Sequence, residues 1–176
     1  MKGAYIRSYP DFPKPGITYW DFTGLLADPA AFRNAVSTFV EFMKGKGITK
    51  IAAIEAKGFT VASAIAYKTH TPLVLIRKPG LIPGEVYSQQ FVKEYGTGEY
   101  QVKKTAFAPS DRILIFYDIM AGEGATKAAA ALIERSGATV AGCAYVIELA
   151  YLHGREQLKQ YDICSLITIS DPTHEV

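Results

Sequence analysis

"ILIFYDIMAGEGATKAAAALIERSG", residues 113–137, runs from an apolar segment through a glycine-bearing loop into a helix. The apolar run is continuous rather than alternating, which is the pattern of a strand covered on both faces, as in a parallel sheet. A strand, a short loop with Gly122 and Gly124, and a helix opening near Ala125 bring unpaired backbone N–H groups and the positive end of a helix dipole together. That is the geometry of an anion site. Glycines also serve ordinary tight strand-to-helix turns, and spacing alone leaves the two readings level. Glu123 sits in the middle of the loop. A carboxylate beside a bound phosphate is repulsive by roughly 1 kcal/mol if solvated and several if buried, unless it turns away or pairs with a cation such as Lys127.

Outward from this stretch the chain alternates. Asp28-Pro29 is an N-cap followed by proline at the first helical position, and Phe32, Val36, Phe39, Val40 and Met43 then recur at helical spacing up to Gly45 and Gly47. "ITKIAAIEA" (48–56) reads as a short strand, followed by a small-residue helix from Lys57-Gly58 to about Tyr67. "PLVLIRK" (72–78), "DRILIFYD" (111–118), "ATVAGCAYVIEL" (138–149) and "DICSLITIS" (162–170) supply further strands. Strands separated by helices call for parallel pairing with crossover helices on both faces. Residues 79–110 break the alternation: turn signals at Pro79-Gly80, Pro83-Gly84 and Gly96-Thr97-Gly98 frame segments rich in Tyr, Thr and Val. They predict an antiparallel excursion or flap, and insertions of that length in an α/β domain are usually functional lids.

At 176 residues and 49% hydrophobic, the chain holds one substantial core, so residues 1–176 read as a single domain. A net charge of +2 with 20% charged residues offers no polyanion-binding surface, which argues against nucleic acid. No signal-like or membrane-length apolar run occurs, and the expectation is a cytoplasmic protein. Cys143 and Cys164 lie in apolar strands and read as buried free thiols. His70, in a helix-to-strand turn, and His174, in a polar tail, read as exposed; His153 reads as part of a structural turn in which Arg155 and Glu156 pair locally.

Ligands of open α/β sheets bind beyond the carboxyl ends of the strands. Three such ends carry chemistry here: Glu55-Ala56-Lys57-Gly58, Arg77-Lys78-Pro79-Gly80, and Tyr117-Asp118 with the loop Ala121 to Thr126.

Seven blocks, "YPDFPKPGI" (9–17), "LLADPAAFR" (25–33), "IEAKGF" (54–59), "LIRKPG" (75–80), "EYGTGEYQVKKTAF" (94–107), "ILIFYDIMA" (113–121) and "IELAYLHGREQL" (147–158), resemble adenine phosphoribosyltransferases in order and spacing. The resemblance covers about residues 6–170. It implies a type I phosphoribosyltransferase fold: a central parallel sheet flanked by helices, a small hood, and a flexible flap. It also implies a reaction in which a purine attacks C1 of 5-phosphoribosyl 1-diphosphate to give a nucleotide and pyrophosphate, with Mg²⁺ carried by the diphosphate rather than by protein ligands, in a homodimer. Tyr19 matches the aromatic that packs on the purine, and Ile119 stands opposite where the family has Leu. Glu94 matches the flap carboxylate near the purine N7, where it can manage the proton that the base must lose.

The donor side departs from the family pattern. There an Asp-Asp pair precedes Ala-Thr-Gly-Gly-Thr; here Tyr117-Asp118 precede Ala121-Gly122-Glu123-Gly124-Ala125. One carboxylate and two hydroxyls are gone, each typically worth about 1–3 kcal/mol. The family's arginine at Lys57, its lysine at Leu81 and its arginine at Trp20 are also replaced, and Lys57 keeps charge without the guanidinium fork. Trp20 fills the space of that arginine or contacts a partner subunit.

The resulting expectation is a purine transferase, acting on adenine first. Asp118 holds sugar hydroxyls, the Gly122 to Thr126 backbone (Gly122, Glu123, Gly124, Ala125, Thr126) holds the terminal phosphate, Lys57, Arg77 and Lys78 face the diphosphate, and Glu94 handles the proton. Gly122, Ala125 and Tyr117 leave room for another sugar diphosphate as donor. A non-catalytic paralogue that binds purine or nucleotide as a sensor or dimer partner is the alternative, and a glycosidic hydrolase on the same fold is a third. The retained Glu94, Tyr19, Asp118, Arg77 and Lys78 favour an enzyme, because a sensor has no need of a proton-transferring residue on a lid.

Overall fold

The computed structural model describes residues 5–93 and 96–171. At its centre is β7 (Arg112–Met120), paired in parallel with β3 (Lys50–Ile54) on one side and β8 (Thr139–Leu149) on the other. With β4 (Leu73–Ile76) outside β3 and β9 (Ile163–Ile169) outside β8, the order is β4-β3-β7-β8-β9, all parallel. Helices α3 (Gly58–Thr69) and α4 (Gly124–Arg135) supply the crossovers from β3 to β4 and from β7 to β8, and α2 (Pro29–Met43), which precedes β3, packs on the sheet beside α3.

The continuous apolar run of β7 is explained by what lies on its two faces. Leu114 and Phe116 point into a core built with Phe39 of α2 and Val61 and Ile65 of α3. Ile113 and Ile115 point the other way, toward Ala129, Leu132 and Ile133 of α4. All four β7 residues are fully buried, and each such side chain contributes about 1.5–3 kcal/mol. Phe116 meets Phe39 edge to face, 5.0 Å between ring centroids. At the head of α2, the Asp28 carboxylate accepts from the Ala30 and Ala31 amides at 2.9 and 2.8 Å, the cap its sequence position predicted.

The excursion at 79–110 is an antiparallel hairpin, β5 (Val86–Lys93) with β6 (Gly96–Lys103), in register from Val86↔Lys103 to Lys93↔Gly96. Glu94, the expected proton-handling residue, falls between these strands and lies outside the described residues, as does His174. The hairpin is tied to the sheet by a bridge between Arg77 and Gln101. It lies against the start of α4: a Cβ on Gly124 would overlap the Val92 carbonyl oxygen and sit 3.2 Å from the Phe91 ring. Only a glycine permits that approach.

Two features depart from the sequence reading. The opening segment, expected as loop, contains a small antiparallel ribbon of β1 (Arg7–Tyr9) and β2 (Tyr19–Asp21), followed by a short helix, α1 (Thr23–Ala27). Strands of three residues are too short to show a period. Arg155 and Glu156 do not pair with each other: Arg155 binds the buried Glu148 carboxylate through two hydrogen bonds of 2.8 and 2.5 Å, while Glu156 meets His153 at 3.1 Å. The bidentate match of guanidinium and carboxylate outcompetes a local pair between neighbours. Both cysteines are free, Cys143 buried and Cys164 half-buried. No helix among the described residues is long and apolar enough to cross a membrane.

Candidate active site

Because every strand of the sheet is parallel, the carboxyl ends of β3, β4 and β7 open on one edge, and their polar residues meet there. A cavity of about 710 Å³ occupies that edge, lined among others by Glu55, Lys78, Tyr100, Asp118 and the loop Ala121 to Ala125. A second, of about 560 Å³, is lined by Tyr19, Trp20 and Tyr151 among others. Ile119 and Ala121 line both. The two chambers adjoin at the end of β7.

Lys57 stands between the chambers. Its Nζ pairs with the buried Asp118 carboxylate at 3.1 Å, donates to the Tyr19 hydroxyl at 3.2 Å, and lies 4.7 Å from the Tyr19 ring centroid. Burial works against the ammonium, but Asp118 and the hydroxyl of Tyr19 outweigh it, so the Lys57 pKa is raised and the charge is held. The side chain reaches this place because Gly58 brings α3 against β7; a Cβ there would lie 3.2 Å from the Phe116 carbonyl.

Arg77 is placed elsewhere than expected. Its Nε donates to Glu55 at 3.3 Å and its Nη1 to the Leu81 carbonyl at 3.3 Å. It lines a groove of about 420 Å³ along the outer edge of β4, not the large cavity. Glu55 also accepts from the Lys78 amide at 3.0 Å, so the Arg77–Glu55 pair fixes the loop that points Lys78 into the cavity. Leu81 lines the same outer groove. Trp20 is 1% exposed and packs in the interior, its indole N–H without a partner among the described residues.

Tyr117, at the position of the family's first carboxylate, is uncharged: burial, then the neighbouring Asp118, push its pKa far above the ordinary tyrosine range. Its hydroxyl lies 3.4 Å from that of Tyr100 on β6, which joins the hairpin to the end of β7. Thr126 is also turned from the cavity; its hydroxyl lies 3.0 Å from the buried Tyr145 hydroxyl, and only its backbone faces the loop.

Glu123 is folded inward. The side chain is 3% exposed, and among the described residues neither carboxylate oxygen has a hydrogen-bond partner of good geometry. Two 3-10 turns follow β8, Ala150–Leu152 and Gly154–Leu158, and Glu123 lies beneath the start of the second, where a Cβ on Gly154 would overlap Glu123 Oε1 and the Ala121 carbonyl. Lys127 does not pair with it; the Lys127 Nζ donates to Gln157 at 2.8 Å. Burial raises the Glu123 pKa to about 7; Lys127 opposes the rise and Glu148 adds to it.

Lys127, Gln157, Tyr100 and Phe91 line the large cavity and were not singled out in the sequence. Lys127 had a signal, one turn after Gly124 on the helix that the loop opens. The others are placed there by the hairpin and the 3-10 turns, which carry no local mark.

Comparison with known proteins places this geometry among relatives. The chain is 47% identical over 162 residues to an adenine phosphoribosyltransferase of Triticum aestivum, covering 92% of this chain and 90% of that protein. Among solved structures, the adenine phosphoribosyltransferase of Thermoanaerobacter pseudethanolicus superposes with a TM-score of 0.90 at 38% identity, over 94% of this chain and 96% of that one. The Giardia lamblia enzyme, complexed with 9-deazaadenine, gives 0.91 at 30% identity over 96% of each. No family model matches the chain.

A buried carboxyl with a raised pKa makes stability depend on pH. Below the ordinary value of 4.5 both folded and unfolded chains hold the Glu123 proton; between 4.5 and about 7 only the folded chain does, so stability falls as pH rises through that window. Glu123→Gln removes this contribution. Urea unfolding at a series of pH values should show the stability of the wild type declining relative to Glu123→Gln between those limits; parallel curves would place the carboxylate in solvent.

Proposed function

Because the chain belongs to the adenine phosphoribosyltransferase family, we propose that it transfers a 5-phosphoribosyl group to a purine, adenine first, forming AMP and pyrophosphate. The observation that carries this reading is the junction of two chambers at Ile119 and Ala121, one with an aromatic wall at Tyr19, the other opening on a glycine loop and helix N-terminus. A purine between Tyr19 and Ile119 presents its nitrogen toward a sugar held at the end of β7.

The chemistry asks for a neutralised diphosphate leaving group, held sugar hydroxyls, an oriented base and excluded water. Asp118, held in place by Lys57, accepts the sugar hydroxyls. Amides of Gly122 to Thr126 take the 5-phosphate at the start of α4, where the dipole favours it. Lys78 and Lys57 are the cations beside the diphosphate. Glu94 takes the proton that the purine must lose. Its removal should slow turnover far more than it weakens base binding.

The cavity carboxylates Glu55 and Asp118 already face Arg77 and Lys57. That suits Mg²⁺ held by diphosphate oxygens and water, where it supplies charge neutralisation to the leaving group. We place the reaction in the cytoplasm.

The chain is further proposed to act as a homodimer. β4 is the edge of the sheet, and Leu75 and Leu81 beside it are 40% and 45% exposed around an apolar groove. Light scattering on the eluting protein should give twice the chain mass; the mass of one chain would overturn this.

Incubation with adenine, 5-phosphoribosyl 1-diphosphate and Mg²⁺ should yield AMP and pyrophosphate at about 1 s⁻¹ or more. Glu94→Ala should lower kcat by about 100-fold with little change in adenine affinity. Absence of AMP with bound adenine would sink the donor assignment. At Gly122 a Cβ would meet nothing within 4 Å, so the family's threonine has room there. Gly122→Thr should lower the KM for the donor about 3- to 10-fold by restoring a hydroxyl donor; an unchanged KM would show that the phosphate is held elsewhere.

A further inference from the structure

The side chain of Glu123 has no place in the reaction just described, yet it stands between the two glycines of the loop that would hold the 5-phosphate. Its burial is built by parts of the chain far apart in sequence. The turn at Gly154 closes over the carboxyl, and only the absence of a Cβ there leaves it space. The groups that face it are few. From α4 come Thr126, whose hydroxyl is shared with Tyr145, and Lys127, whose Nζ is held by Gln157 of the second 3-10 turn. From β8 come Cys143 and Tyr145, both kept neutral by burial, and Glu148, whose charge is matched by Arg155. The Thr126 hydroxyl, engaged with Tyr145, gives the carboxyl only a weak contact, and among the described residues no cation pairs with it, so an ionised carboxylate has no counter-charge in contact with it.

An ionised Glu123 and a phosphate dianion would therefore face each other across one turn of backbone, in a region of low dielectric. A neutral carboxyl removes the conflict and leaves the amides and the helix dipole to the phosphate. Resting on the reading above, we propose that Glu123 is a positioning residue whose protonation gates the loop: the 5-phosphate of donor or nucleotide binds with the Glu123 carboxyl neutral, and binding above neutrality draws one proton from solvent onto it. The proton released by solvent or buffer balances the one gained; no covalent bond changes.

The free carboxyl has a pKa of about 7, which puts the linkage where it can be measured. Each unit by which phosphate raises that value is a tenfold preference for the protonated protein. Near pH 8 a phosphate monoester, with a second pKa of about 6, is already a dianion and contributes almost no proton of its own.

The test is calorimetric titration with AMP at about pH 8, in two buffers of different ionisation heat, for wild type and Glu123→Gln, with adenosine as the phosphate-free control. Uptake approaching one proton per AMP in the wild type, near zero in Glu123→Gln and near zero with adenosine, is the expected result. The wild-type affinity for AMP should also fall about tenfold between pH 7 and 8.5, while that of Glu123→Gln stays within about twofold. AMP binding without proton uptake would overturn this inference and leave the transferase reading intact; no AMP binding at all would overturn both. If Glu123→Gln does not fold, infrared difference spectra of the wild type carry the test. AMP should add a protonated-carboxyl stretch that shifts with ¹³C-labelled glutamate, and its absence would overturn the proposal.

Discussion

Parallel pairing of β7 with both β3 and β8 is the constraint on which the rest of this molecule depends. Parallel strands cannot be joined by tight turns, so each connection is long. Helices α3 and α4 join β3 to β4 and β7 to β8, the hairpin lies between β4 and β7, two 3-10 turns lie between β8 and β9, and both faces of the sheet become core. The same rule sends every carboxyl end to one edge. Asp118, Lys57, Glu55 and Lys78 come from different segments and meet because their strands all run the same way. A hydrophobic requirement, burial of β7 on both sides, thus fixes where the polar chemistry collects.

Charge at that edge is arranged in pairs. Lys57 with Asp118 and Arg77 with Glu55 are each partly buried, and each carboxylate has a cation at hand. Pairs of this kind add modest net stability, but removing one partner leaves a costly charge behind, so they fix geometry more than they strengthen the fold. Lys57 has a second role in joining Tyr19 to Asp118, so that the aromatic wall of one chamber and the carboxylate of the other share a single cation. Where the family has the first carboxylate of its pair, the neutral Tyr117 leans on Tyr100 instead. The donor chamber is consequently less negative than its family pattern, and the tyrosine pair ties the hairpin to the sheet.

Two glycines decide how the loop Ala121 to Thr126 is enclosed. Gly124 lets the Val92 carbonyl close in from the hairpin above, and Gly154 lets the Glu123 carboxyl fit below. Neither needs the positive φ that usually explains a glycine; both are needed for space. The loop is therefore held between a β-hairpin and a pair of 3-10 turns, with one face toward the ligand chamber and a buried acid on the other. This arrangement reconciles a glutamate with the phosphate role proposed for the loop: its carboxyl is directed into the core, where burial favours the neutral form.

Much of this was legible in the sequence. The continuous apolar run of residues 113–116, the cap at Asp28-Pro29 and the turn signals around the hairpin are local, and each forced an element because its physics acts over a few residues. The ordered blocks pointed to the family, and the relatives show it. The ribbon of β1 and β2 left no trace, since three-residue strands have no measurable period. Within the site, the sequence by itself determined which residues arrive at the strand ends, Lys57, Lys78, Asp118 and the loop, while Tyr19 was marked only by the resemblance to the family. Only the tertiary structure decided where their side chains point. Arg77 turned to Glu55, Arg155 to Glu148 and Glu123 toward Gly154, because the direction of a side chain at a strand end is settled by partners brought in from elsewhere in the chain, and by which charges burial leaves without water.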